Sequence, residues 1–496
     1  MQLILCNGSE QTGDAMQTLS ALQEFARSLD VPDVVAQLRA GVIGEGAAFE
    51  GPFGPQKILY ADYVASGRAL RQVEAFVMEK VLPFYANSHT EASYCGGAMT
   101  RMRREARAIV ARACGADDNF ATVFCGSGAT AGLNRLVNLL GVTEAVQRGE
   151  NPLIILGPYE HHSNILPWRE SGAEVVEMPE AATGGPDLVV LEKTLRDASG
   201  RLIVGAFSAA SNVTGIVTDP DPVSRLLKRH GALAVWDYAG GGPYLPIDMR
   251  AGSDAEKDAV VVSAHKFPGG PGASGIMIVR KAAVSTRRMF HPGGGTVRFV
   301  SSTAQDYATD LATREEAGTP NIVGDIRAAL SFLVKSALGQ ARMDARHATL
   351  RARALSVWSQ NPAMQILGNP QAHALPIFSF RVRDIAHGGY LHDQIFTRLL
   401  SDFHGIQARG GCACAGPYAH RLLEIDAAQS AAIRRAILRG DVVEKPGWVR
   451  LNFSALMDDA KADFVIAAVD ALARSPWPMA GTYVCDGATA RVRPAA

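Results

Sequence analysis

The sequence predicts an α/β protein: a mostly parallel sheet covered by helices on both faces, followed by a smaller α+β lobe. Three observations carry this. From Tyr60 to Arg280 short apolar runs alternate with amphipathic stretches of helical period, the pattern of strands joined by helical crossovers. Several of the runs are continuous and β-branched, Val260-Val261-Val262 above all, which suits strands buried on both faces. The runs end abruptly in polar or small residues, at the strand ends where open α/β sheets hold their ligands.

In chain order, residues 1–45 predict one or two helices docked on the smaller lobe, after a flexible start. Residues 46–325 form the large domain, with strands at 153–156, 173–178, 202–208, 233–237, 260–264 and 275–279 and a further short one leading into Cys125. A long helical pattern with a dense Arg/Ala face runs from 321 to about 360 and crosses into the second domain, 326–475. That domain has strands near 377–382 and 449–453 and helices near 392–403, 431–438 and 461–472. The tail, 476–496, has Pro, Gly and Arg without periodicity, and internal repeats and low-complexity tracts are absent.

The chain has 496 residues with 49 basic and 49 acidic side chains. That balance argues against nucleic acid or a membrane surface as the main partner. Charge or glycine interrupts every apolar stretch before it reaches membrane-spanning length, and the first residues lack the basic and apolar regions of a secretory signal. The expected location is cytoplasmic, with free cysteines.

The chemistry is concentrated at three strand ends. Val260-Val261-Val262-Ser263-Ala264-His265-Lys266 delivers an amine to a polar pocket. Shielded from water, such an amine loses its proton more readily and condenses with an aldehyde. Taken alone, a His-Lys pair reads more readily as a solvated loop after a strand. Twenty-nine residues earlier, Val235-Trp236-Asp237 ends another apolar strand in a carboxylate, and a cofactor with a pyridine ring needs an anion beside its ring nitrogen. Upstream, Phe124-Cys125-Gly126-Ser127-Gly128-Ala129-Thr130 runs from a strand into a helix through small residues. Bare N–H groups at such a helix start attract a phosphate, and the spacing matches neither the dinucleotide fingerprint nor a P-loop. Amine, anion and phosphate turn together indicate pyridoxal 5'-phosphate (PLP).

These segments, with Glu160-His161-His162-Ser163-Asn164 and Ser211-Asn212-Val213-Thr214-Gly215, resemble the class V aminotransferase superfamily and, within it, the cysteine desulfurase/selenocysteine lyase branch. The resemblance runs from about Tyr60 to about Ser454, with the motifs in the family's order. It implies the PLP-dependent transferase fold of type I, with a seven-stranded large-domain sheet. It also implies that Lys266 bonds covalently to the cofactor aldehyde, that Asp237 pairs with the pyridinium and that His161 stacks on the ring and moves protons. Asn212 would donate to the phenolic oxygen. Gly128, Ala129, Thr130, Ser263 and His265 would hold the phosphate, with Thr296, in His291-Pro292-Gly293-Gly294-Gly295-Thr296, reaching it from the neighbouring subunit of a homodimer. Arg450 would bind the substrate carboxylate, and Arg314-Glu315-Glu316-Ala317-Gly318-Thr319-Pro320 reads as a structural bend.

The second informative stretch is Arg409-Gly410-Gly411-Cys412-Ala413-Cys414-Ala415-Gly416-Pro417. Glycines and alanines around the cysteines predict a mobile, accessible loop. The register of the desulfurases falls on Cys414 as the thiolate that takes sulfur from a cofactor-bound cysteine, with Arg409 near enough to act on the thiol and the substrate. A metal site would need about four ligands, and the other cysteines, at 6, 95, 114, 125 and 485, are scattered; no metal is expected, and an inert structural pair stays open. Two departures stand out. The family's Asp-x-Ala-Gln is Asp237-Tyr238-Ala239-Gly240 here, and the histidines that often precede the loop cysteine are Cys412 and Ala413. The expected activity is PLP-dependent desulfuration of L-cysteine with release of alanine, possible transfer to a sulfur-acceptor protein following. A C–S or C–Se lyase, an aminotransferase and an epimerase of the same fold remain alternatives. A ligand-sensing regulator would need a nucleic-acid-binding module, which neither end of the chain shows.

Overall fold

The computed structural model describes residues 19–88, 90–286 and 288–495; the first 18 residues of the predicted N-terminal segment, Cys6 among them, lie outside the described residues. Its main sheet has seven strands: β1 (Phe120–Phe124), β2 (Leu153–Leu156), β3 (Glu174–Glu177), β4 (Ile203–Ser208), β5 (Leu233–Asp237), β6 (Ala259–Ser263) and β7 (Gly275–Arg280). Their spatial order is β1-β7-β6-β5-β4-β2-β3, and β7 alone in this sheet runs antiparallel to its neighbours.

The β-branched run behaves as its composition predicts. Val260 and Val262 enter one core with Trp236, Ile276 and Ile278, while Val261 enters the opposite core with Val123, Val235, Met277 and Val279. Both faces are therefore dry, and each such side chain contributes about 1.5–3 kcal/mol by leaving water. Register then aligns the strand ends: Ser208 lies opposite Asp237, and Asp237 opposite Val261.

Helices cover this sheet and lead to the second lobe: α1 (Ala21–Ser28), α2 (Val34–Ala40), α3 (Tyr94–Ala113), α4 (Gly128–Leu139), α5 (Ile322–Leu338), α6 (Gln340–Trp358), α7 (Asp393–His404), α8 (Gly416–Leu422), α9 (Ala427–Leu438) and α10 (Asp459–Arg474). The second lobe has an antiparallel sheet ordered β8 (Met364–Ile366), β9 (Ile377–Arg383), β11 (Trp448–Asn452), β10 (Arg409–Gly411). Trp358, Phe378, Phe380, Phe396 and Phe453 fill its core.

Two expectations are corrected. The long helix predicted over 321–360 is two, because Gly339 adopts φ +76° and turns the chain. The inward residues of α5, including Ile322, Ile326, Leu330 and Val334, belong to the core of the main sheet, so the second lobe starts after α5 and not at 326. The N-terminal segment also docks elsewhere than predicted. Leu22 and Phe25 of α1 and Leu38 of α2 pack with Val73, Met99 and Ile326 against the large domain, because α5 offers them an apolar face. Arg39 adds a tether across, donating from Nε to the Leu456 carbonyl at 2.8 Å.

The tail is folded where its sequence predicted nothing regular. A hairpin of Tyr483–Cys485 and Val492–Pro494 lies against α7, held by the Tyr483 hydroxyl donating to Asp402 Oδ2 at 2.8 Å. The short strand Leu59–Tyr60 pairs in parallel with Ile406–Gln407 and so ties the large domain's edge to the second lobe. No helix among the described residues is long and apolar enough to cross a membrane.

Candidate active site

At the carboxyl ends of β4, β5 and β6 lies a cavity of about 240 Å³ roofed by the loop that follows β10. Lys266 enters it from a short 3₁₀ turn, Ala264–Lys266, immediately after β6. Burial pushes the Lys266 ammonium down to about 8; the Asp237 carboxylate partly offsets this, while Arg450 and Arg409 add to it. Asp237 is itself buried, and the loss of water raises its carboxyl against the opposing effects of the Ala239 N–H, 2.7 Å from Oδ1, and Lys266. The site thus holds a weakly basic amine near a carboxylate that gains from a cationic partner.

The first turn of α4 forms the opposite end. Gly128 has φ +62°, and a Cβ there would meet Ser263 Oγ at 2.8 Å, so the sequence needs glycine for both conformation and space. The Ala129 N–H donates to Ser263 Oγ at 2.9 Å, and the Thr130 hydroxyl donates to Ser163 Oγ at 2.8 Å. Helix start, hydroxyls and His265 form a cradle for an anion.

His161 follows β2 and lines the same cavity. The Ser163 N–H donates to its Nδ1 at 3.1 Å, so the neutral ring carries its hydrogen on Nε2. Burial, then the positive charges of Lys266, His162 and Arg450, lower His161 to about 4, so it is neutral across the physiological range. Beneath it the buried Glu160 accepts from the Ser208 N–H at 2.8 Å, the Ser208 hydroxyl at 2.6 Å and Asn164 Nδ2 at 2.5 Å.

On the side of the second lobe, Arg450 projects from β11 and Arg409 from β10. Asp62 accepts from Arg450 Nη2 and Arg409 Nε, each at 2.9 Å, and Arg450 Nη1 donates to the Asn212 carbonyl at 3.1 Å. The buried Arg450 Nε has no partner.

The cysteine loop closes the cavity. Ala415 N–H bonds to the Cys412 carbonyl at 3.3 Å, and the two residues between, Ala413 and Cys414, have φ of +51° and +54°. This tight turn is held across the lobes: His162 N–H donates to the Cys414 carbonyl at 2.8 Å, Gly416 N–H to His162 Nε2 at 2.9 Å, and Asn212 Nδ2 to the Ala413 carbonyl at 2.9 Å. Cys414 is exposed and Cys412 half-buried.

Lys266, Asp237, His161, Asn212, Ser263, His265, Gly128, Ala129, Thr130, Arg409, Arg450 and Cys414 all line this one cavity. Thr296 does not. It is buried, its hydroxyl donating to the Gly293 carbonyl at 2.6 Å. Asn212 gives one of its two amide hydrogens to the cysteine loop. Sequence reasoning passed over Asp62, Ser163, Ser208 and Glu160. Asp62 follows Tyr60-Ala61 as Asp237 follows Val235-Trp236, a strand-end carboxylate, and that signal was available.

Comparison with known proteins agrees with this geometry. Residues 59–440 match the family described as aminotransferase class-V. A probable cysteine desulfurase of Vibrio cholerae is 30% identical over 369 residues, covering 73% of this chain and 85% of its own length. A cysteine desulfurase of Pectobacterium atrosepticum is 28% identical over 372 residues, with 73% and 85% covered. The apo structure of a cysteine desulfurase from Thermococcus onnurineus superposes with a TM-score of 0.72 at 22% identity, over 88% of this chain and 98% of its own. This superposition shows a shared fold, the type I fold of PLP-dependent transferases.

Proposed function

The chain belongs to the aminotransferase class-V family, and we propose that within it the protein is a cysteine desulfurase, moving sulfur from L-cysteine to Cys414 with release of alanine. The family is PLP-dependent, and the residues fit the group: a glycine cradle at a helix start, a buried carboxylate, and an amine whose pKa burial lowers to about 8. When bound, the cofactor supplies an electron sink for bonds broken at the substrate's α and β carbons.

The chain's own residues do the rest. Lys266 would hold the cofactor's aldehyde, and as the amine lining the cavity it would be available to move the substrate's α-proton. Asp237 would keep the pyridine nitrogen protonated, and the first turn of α4 with Thr130, Ser263 and His265 would hold the phosphate. His161, neutral with its hydrogen on Nε2, would pack on the ring and carry protons. The Arg450 guanidinium, which lines the cavity, would orient the carboxylate of the amino acid. Cys414 then attacks the substrate sulfur as a thiolate: a sulfur–sulfur bond forms, the carbon–sulfur bond breaks with its electron pair left on the substrate carbon, and protonation of that carbon gives the methyl group of alanine.

The observation that carries this reading is that Cys414 and Lys266 line one cavity. A homodimer belongs to the same proposal, supported by Phe299 and Val300, more than half exposed on the hairpin Val297–Val300/Gln305–Tyr307, as does a protein that accepts the sulfur. The purified holoenzyme is expected to form alanine from L-cysteine with one equivalent of sulfur retained, and Cys414→Ser to form none. Pyruvate and ammonia in place of alanine, with turnover surviving in Cys414→Ser, would establish a lyase instead.

A further inference from the structure

Two cavities meet at the cysteine loop. One is the closed cavity of about 240 Å³ that holds Lys266; the other is a larger groove of about 770 Å³ on the outer side of β10, walled by α7 and by the hairpin of the C-terminal tail. Cys414 lines both, whereas Cys412 lines the groove and not the inner cavity. The turn between them is compact, closed by the bond from Ala415 N–H to the Cys412 carbonyl. Such a turn keeps the Cα atoms of its ends, Cys412 and Ala415, within about 7 Å, and Cys414 lies inside it, one residue from Cys412.

The cross-lobe bonds to His162 and Asn212 hold the Cys414 backbone in place at the inner cavity. The groove is the larger of the two cavities and carries Lys445, Arg491 and Asp393 along its walls. Resting on the desulfurase reading, we propose that Cys412 is a second sulfur carrier: sulfur taken up by Cys414 passes to Cys412, which presents it in the groove to a thiol-bearing acceptor. The Cys412 thiolate attacks the outer sulfur of the Cys414 persulfide. A sulfur–sulfur bond forms on Cys412, the one on Cys414 breaks, and Cys414 Sγ leaves as the thiolate, so the number of sulfur–sulfur bonds is unchanged and no oxidant is required. Cys414 is thereby free for another cysteine while the groove unloads.

The test is a single turnover of the holoenzyme with one equivalent of L-cysteine, quenched over time with iodoacetamide and mapped by peptide mass spectrometry. In the native protein the extra sulfur is expected first on Cys414 and then on Cys412. In Cys412→Ser, and in Cys412→Ala as a second variant, it stays on Cys414; single-turnover alanine formation and cofactor absorbance are unchanged, while sulfide released to reduced thioredoxin, a protein-borne dithiol, falls about tenfold. Alanine formed with sulfur confined to Cys414 in the native protein, and undiminished release in both variants, would overturn the relay and leave the desulfurase reading intact. No alanine from the native protein would overturn both.

Discussion

Lys266 and Cys414 face the same cavity but are held there by different means. Lys266 sits one short turn beyond β6, whose five residues are all buried between two cores, so its position is set by the sheet. Cys414 sits in a turn between the lobes, with its own φ and that of Ala413 in the left-handed region, held by His162 and Asn212 reaching across. The first kind of placement lasts whether or not substrate is present. The second depends on the lobes staying together, and a sulfur carrier gains from it because the loop has to serve both an inner cavity and an outer groove.

The sharpest way to break this comparison is to remove one member at a time. Lys266→Ala is expected to lower turnover at least about a thousandfold and to abolish borohydride labelling of the peptide that contains residue 266. If the label moves to another lysine, the strand-end amine is not the cofactor's anchor. Changes in the cysteine loop should leave that label untouched.

The same amine makes a pH prediction with a definite sign. Burial lowers Lys266 to about 8 from 10.5. At pH 7 about a tenth of it is neutral, against about one part in three thousand for an ordinary lysine. Only the neutral form attacks an aldehyde. Cofactor uptake by the apoenzyme should therefore rise about tenfold per pH unit below pH 8 and level off above it, followed as the growth of the bound-cofactor absorbance; a rise that continues to pH 10 would show an unperturbed lysine.

A smaller effect is expected at the clamp. His162→Ala removes the acceptor for Gly416 N–H while the backbone bond from residue 162 to the Cys414 carbonyl is kept. The loss of one hydrogen bond, about 1 kcal/mol, predicts roughly a fivefold fall in kcat for alanine formation with the cofactor spectrum and its pH dependence unaltered. Were the cofactor spectrum to change as well, the loop and the strand ends would be one coupled unit.

The same contrast explains what was legible in the sequence. Val260-Val261-Val262 and Val235-Trp236 declare buried strands by composition, and a charged residue at the end of such a strand has few places to go, so Lys266 and Asp237 could be read directly. Asp62, Glu160 and Ser208 draw their roles from partners 388, 48 and 48 residues away in sequence, which no local pattern encodes. The break at Gly339 lay within a continuous helical pattern, and the seat of α1 and α2 was set by an apolar face that α5 offers only once folded. The loop cysteines were visible as a motif, but their division between two cavities is a property of the turn, and nothing in Cys-Ala-Cys-Ala forecasts left-handed backbone at two residues that carry a Cβ.

That backbone supplies the smallest and most local prediction. A left-handed φ costs a residue with a Cβ about 1–2 kcal/mol, and Ala413 has no side-chain bond to offset it. Glycine adopts φ +51° freely but brings about 0.5–1 kcal/mol of extra chain entropy to the unfolded state. Ala413→Gly should therefore change global stability by no more than about 1 kcal/mol in the stabilising direction, measured by denaturant titration. Its effect on function separates the two ways of holding a residue. If the left-handed turn is what sets Cys414 between cavity and groove, freeing position 413 spreads the loop over other conformations, and sulfur uptake by Cys414 slows while cofactor binding does not. If the cross-lobe bonds alone define the turn, the variant keeps native kinetics with the added stability, and the strain at 413 is incidental to placement of the thiol.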